Sequence, residues 1–145
     1  MSSIEHSLDM AANIKGAFAV ALVDYESGMT LGSRGGSAEF DLDVAAPGNS
    51  EVVRTKLEVM EKLGLRESIE DILITLDTQY HLIRIIRGGG DEKLFFYLAL
   101  NRAQANLAMA RRDLRVIEQQ FYMAAPRVPR PSGQDSQAFF PAAGR

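Results

Sequence analysis

The chain is 145 residues long, 46% hydrophobic and 24% charged, with a formal net charge of −3. That size allows one domain with a self-sufficient core, and the acidic balance argues against a nucleic-acid binder. It has no cysteine, which excludes a disulfide framework, thiolate-ligated zinc and a cysteine nucleophile.

The N-terminus carries Glu5 and Asp9 and has no basic stretch ahead of an apolar core, so no signal peptide is expected. Ser2 and Glu5 have capping-box spacing, and Ile4, Leu8, Ala11 and Ile14 follow at helical intervals, which predicts a short amphipathic helix ending before Lys15–Gly16. In the next run Phe18, Val20 and Leu22 alternate with Ala17, Ala19 and Ala21. This predicts a strand with one bulky and one small face, the small face open to close approach by a helix. Asp24–Gly28 reads as a hairpin loop, and Met29–Ser33 as a short return strand at a sheet edge.

Phe40, Leu42 and Val44 read as an extended lead-in to a second helix. Pro47 suits its first turn, and Asn49 or Ser50 could cap a slightly later start. Val53, Leu57 and Met60 form its apolar stripe, widened by Val52, Val59 and Leu63. Gly64 fits the residue after the cap, with Leu65 folding back on Met60. A stripe this wide exceeds what a one-sided surface helix needs and implies a second contact.

Three β-rich runs follow: ILITL, YHLIRIIR and KLFFYLAL, joined by DTQ and GGGDE. The last, Leu94–Leu100, is apolar on both alternating sets and so requires cover on both faces, at the middle of a sheet. A third helix is expected from Asn101, with Gln104 at the capping-box position and Ala103, Leu107, Ala110, Leu114, Ile117 and Phe121 in a heptad-like seam too short for a coiled coil, which fits packing on a sheet. The boundary of the folded domain is expected at 1–121. Residues 122–145, rich in Pro, Ala, Gly and Ser, read as a disordered tail, with Pro-Arg-Val-Pro-Arg-Pro able to form a polyproline helix.

Little of this points to catalysis. His6 and His81 have no partner at metal-ligand spacing, so no metal site is expected. Asp41/Asp43 and Glu70/Asp71 lie at element ends, where solvated acids are common. Gly88–Gly90 joins two strands and leads to Asp91–Glu92, which fits a hairpin turn and not a phosphate loop. Arg111, Arg112 and Arg115 decorate the last helix as a candidate partner-binding surface toward an acidic partner or anionic headgroups.

The order α-β-β-α-β-β-β-α describes an α+β fold, a five-stranded antiparallel sheet sandwiched by helices. In GAFAVALVDYESGMTLGS, GNSEVVRTKLEVMEKLGL and DILITLDTQYHLIRII…LFFYLALNRAQANLAMARRDL the chain resembles the roadblock/dynein light-chain family across Ile4–Phe121. The resemblance implies a cytoplasmic, non-enzymatic homodimer in which middle helices pair and sheets join edge to edge. It also implies a scaffold or regulator of small Ras-like GTPases or of other protein complexes, without cofactor, nucleic acid or membrane insertion. The candidate dimer residues are Val52, Val53, Leu57, Val59 and Met60. The competing function is a small-molecule sensor of profilin-like or PAS-like architecture, with a pocket beneath Phe95, Phe96 and Tyr97.

Overall fold

Strand β5 (Leu94–Asn101) is the spine of the molecule: its first seven residues are all buried. The computed structural model describes residues 3–87 and 93–124. Around β5 the sheet order is β2-β1-β5-β4-β3, from β1 (Ala17–Asp24), β2 (Thr30–Gly35), β3 (Ile72–Thr75) and β4 (Gln79–Ile85). All four pairings are antiparallel, with Leu22 opposite Phe96 and Leu82 opposite Leu98. Helix α1 (Ile4–Ala12) and α3 (Leu107–Ala124) lie on one face, and α2 (Leu42–Lys62) on the other.

The alternation within β5 sorts its side chains between two cores. Leu94, Phe96, Leu98 and Leu100 meet Leu8 and Ala11 of α1 and Ala110, Leu114, Ile117 and Phe121 of α3. The seam on α3 is thereby buried within its own chain. Phe95, Tyr97 and Ala99 meet Leu42, Ala46 and Val53 of α2. Ala19 and Ala21 lie under α2, as the small face of β1 predicts.

Phe18 departs from that pattern. A bulge between Ala17 and Ala19 makes it an extra residue in β1, so it turns to the α2 side and packs edge-on against Phe40 at 4.9 Å between ring centres. Gly35 lies opposite Ala19 with φ +75°, where a Cβ would collide with the Phe18 carbonyl.

Three helix boundaries also differ from expectation. Ser3, and not Ser2, caps α1, its Oγ accepting from the His6 amide at 3.1 Å. The start of α2 lies at Leu42, with Asp41 as cap accepting from Asp43 N–H, so the lead-in is helical and Pro47 stands inside the helix. At its other end Leu65 N–H bonds Met60 carbonyl and Gly64 N–H bonds Glu61 carbonyl, each at 3.0 Å, with Gly64 at φ +72°; this is the expected Schellman closure. Helix α3 begins at Leu107, not Asn101. Asn101 completes the ladder opposite Gln79, and its side chain closes a turn by accepting from Ala103 N–H. Asn106 takes over as cap, accepting from Met109 N–H at 3.0 Å. The Gly88–Gly90 turn and the tail from residue 125 lie outside the described residues.

Candidate interaction surfaces

The five α2 residues expected at a subunit interface separate by face. Val53 and Met60 are buried against the sheet, and Leu57 is half-buried beside them. Val52 and Val59 point away from the sheet, with 41% and 39% of their surface exposed. They share that outer face with Val44 and Leu63, 70% and 66% exposed. Spacings of eight, seven and four residues place all four within about a quarter of the helix circumference, since each residue advances roughly 100°. Gly48, on the same arc, has open space where a side chain would be. A second apolar stripe thus runs along a helix whose opposite stripe already fills the core.

The sheet has two edges. Edge strand β2 is flanked by α1, and its Arg34 is clamped by Glu5 and Asp9 at 2.6 and 2.8 Å, which holds its pKa above the ordinary value. Among the described residues, edge strand β3 hydrogen-bonds only β4, leaving one side of its backbone open; Leu73 and the neighbouring Leu76 are exposed.

The arginines of α3 divide as well. Arg111 makes a bidentate pair with Asp71, Nε to Oδ2 at 2.9 Å and Nη2 to Oδ1 at 3.1 Å, with Glu70 at 4.0 Å. These hydrogen bonds raise its pKa above the usual guanidinium value. Glu70/Asp71 is thereby a structural tether between β3 and α3. Among the described residues Arg112 pairs with its neighbour Asp113, at 3.4 Å, and Arg115 is exposed. Between α3 and the sheet lies a hollow of about 320 Å³ lined by all three arginines, Glu70, Asp71 and Arg84.

Arg84 is a residue that sequence reasoning missed. It lies on β4 facing α3, buried, and its Nε donates to buried Glu118 at 3.1 Å. A second oxygen of Glu118 accepts from Arg87 N–H at 3.5 Å. The available signal was an arginine inside the apolar run LIRII and a glutamate following Ile117 on the inward side of the helix.

His81 is likewise structural. Its Nε2 donates to Gln79 Oε1 at 2.7 Å and its Nδ1 accepts from Tyr97 hydroxyl at 3.1 Å, the neutral tautomer that satisfies both partners. The ring packs edge-on against Phe40 and Tyr97, and burial lowers its pKa. Burial also raises the pKa of Tyr97, opposed by a hydrogen bond from Asn49. His6 is exposed on α1. Among the described residues, no group of three or more His, Asp or Glu side chains could hold a metal ion. Asp41 serves as the α2 cap. Phe95, Phe96 and Tyr97, beneath which a sensor pocket was the competing expectation, are core: Phe96 packs on Phe121, Phe95 on Tyr25 and Tyr97 on Phe40. Among the described residues no helix is long and apolar enough to cross a membrane.

A five-stranded antiparallel sheet in this order, with two helices on one face and a long middle helix on the other, defines a roadblock-like domain. Solved structures bear out the fold. Myxococcus xanthus MglB superposes with a TM-score of 0.71 at 16% identity, over 83% of this chain and 92% of that one. The Roadblock/LC7 domain from Streptomyces avermitilis matches at TM-score 0.67 and 11% identity, over 82% and 94%. MglC from Myxococcus xanthus matches at TM-score 0.55 and 20% identity, over 86% and 100%. No protein-family model and no curated protein matches the sequence itself.

Proposed function

We propose that the chain is a non-catalytic, homodimeric adaptor or regulatory module that binds or regulates a small Ras-like GTPase, or scaffolds a protein complex. The observation that carries the reading is the outer stripe Val44, Val52, Val59 and Leu63 on α2. Apolar side chains left exposed along one arc of a helix already anchored through its other face, beside Thr55 and Lys62 on the same arc, favour a protein contact. The likeness of the fold to MglB and to a Roadblock/LC7 domain supports a regulatory role. In the dimer, α2 packs on its symmetry mate while the open edge of β3 extends the sheet. Arg111, Arg112 and Arg115 form the partner-facing basic surface, with Arg112 and Arg115 the more available donors because Asp71 engages Arg111. Light scattering across dilution tests the dimer. Pull-down with the tagged full chain in the GDP and GTP states tests the partner, and recovery of no GTPase in either state rejects that part of the reading.

A further inference from the structure

The hollow between α3 and the β3–β4 edge has a lining rich in arginine. Its lining includes Arg84, Arg111, Arg112 and Arg115 against Glu70 and Asp71, a net of +2. Glu118 behind Arg84 and Asp113 beside Arg112 balance that charge from outside the lining, so the arginines face the hollow while two of their counter-ions do not line it. The acids are unevenly placed: Asp71 is committed to both donor atoms of Arg111. Arg84 is the telling member. A guanidinium carries five N–H donors, and among the described residues no Arg84 nitrogen is both buried and unpartnered. Among the described residues, the hydrogen bond that Arg84 makes is from Nε to Glu118, and the residue lines the hollow despite being buried. Arg115 stands one helical turn beyond Arg111 on the same wall, and small Ala108 leaves the mouth open.

We propose that this hollow is an anion-binding site for a compact phosphate-class oxyanion, held by Arg84 from the sheet and by Arg115 and Arg112 from the helix. The pairing of planar guanidinium groups with tetrahedral oxyanions is strong and directional because two N–H groups can meet two oxygens at once. Glu70 and Asp71 bar the β3 end, so the anion seats toward Arg84 and Arg115. About 320 Å³ admits a phosphate or the phosphomonoester head of a larger molecule. The site does not depend on the dimer, and it shares Arg112 and Arg115 with the partner-facing surface proposed above.

The test uses the full chain. Inorganic phosphate and pyrophosphate are titrated at constant ionic strength, with chloride as the balance, and followed by melting temperature and calorimetry. Saturable stabilisation beyond that of chloride is expected. Arg115→Gln and Ala108→Glu, both at exposed positions, should fold normally and weaken binding about tenfold or more, as expected for losing a charge-assisted hydrogen bond. Arg54→Gln, on α2, should not change it. A second arm sediments the protein with phosphatidylcholine vesicles carrying phosphatidic acid. Binding there alone, lost in Arg115→Gln, keeps the site and assigns the phosphomonoester to a lipid. Absence of binding in both arms, or binding unaffected by both variants, overturns the proposal.

Discussion

Placing a carboxylate at Val52 or Val59 should convert the protein to a folded monomer. The exposed fractions of Val44, Val52, Val59 and Leu63 together equal about two complete side chains. Full burial of such a side chain contributes roughly 1.5–3 kcal/mol. The stripe is therefore worth about 3–6 kcal/mol per subunit, and about twice that across a symmetric pair. Association costs about 4–15 kcal/mol in lost freedom. Helix pairing alone sits close to break-even, so the dimer also needs the β3 edge, and one damaged position is enough to undo it. A glutamate at Val52 would appear twice in a symmetric interface, and desolvating each unpaired carboxylate costs several kcal/mol. Light scattering from low to high micromolar concentration should give the monomer mass for Val52→Glu and Val59→Glu, with unchanged far-UV circular dichroism. Val53→Glu, at a fully buried position against the sheet, should instead lose the helical signal. Met60→Glu and Leu57→Glu should fall nearer the unfolding outcome, because Met60 is buried and Leu57 packs against the same core. If both outward variants remain dimeric, the helix pair is wrong. The next candidate is then the β3 edge, since the α3 seam is covered by its own sheet.

The buried ion pair makes a second prediction. Glu118→Ala should cost about 3–5 kcal/mol in chemical denaturation, because Arg84 is left uncompensated, whereas Arg84→Met with Glu118→Leu should approach wild-type stability or exceed it; a loss below about 1 kcal/mol in the single variant contradicts this. His81 has its pKa lowered by burial, so the unfolded chain binds its proton more readily. No penalty therefore acts above about pH 6.5, and stability falls as pH drops below that value toward the folded pKa. His81→Asn should flatten this part of the pH–stability curve relative to wild type, and identical slopes would remove His81 as the cause. Gly35→Ala should lower stability by about 1–3 kcal/mol or more through its left-handed backbone and the Phe18 carbonyl; an unchanged melting temperature would mean that the bulge relaxes freely. Truncation after Ala125 should leave the melting temperature and the mass unchanged, since a Pro-rich segment without periodicity buries little. A drop of several degrees would show that Phe139–Phe140 docks on the domain.

What was legible in advance was what repeats locally. The double-faced apolar run of β5 demands cover on both sides wherever it stands, and Gly64–Leu65 closes α2 through bonds to residues only a few positions away. The misread caps of α1 and α2 close over only two or three residues, but the other misreadings each needed a contact from elsewhere in the chain. Asn101 carries a helix-cap signature, but pairing with Gln79 claims it for the sheet. Phe18 breaks its alternation because Gly35, distant in sequence, admits its carbonyl and Phe40 packs against its ring. Arg84 and Glu118 are 34 residues apart, and nothing near either one announces the other.

Helix α2 shows the same limit at the surface that matters most for function. In sequence, Val52, Val53, Leu57, Val59 and Met60 form one broad apolar band, and either half could face the sheet. Ala46 and Ser50 decide it. They extend the Val53/Met60 stripe toward the N-terminus, and their small size lets α2 sit closely over Ala19 and Ala21 of β1. Val52 and Val59 have no such complement among the described residues and are left outward. An apolar stripe that its own core neither needs nor has room for is the surface on which another protein can gain most by binding.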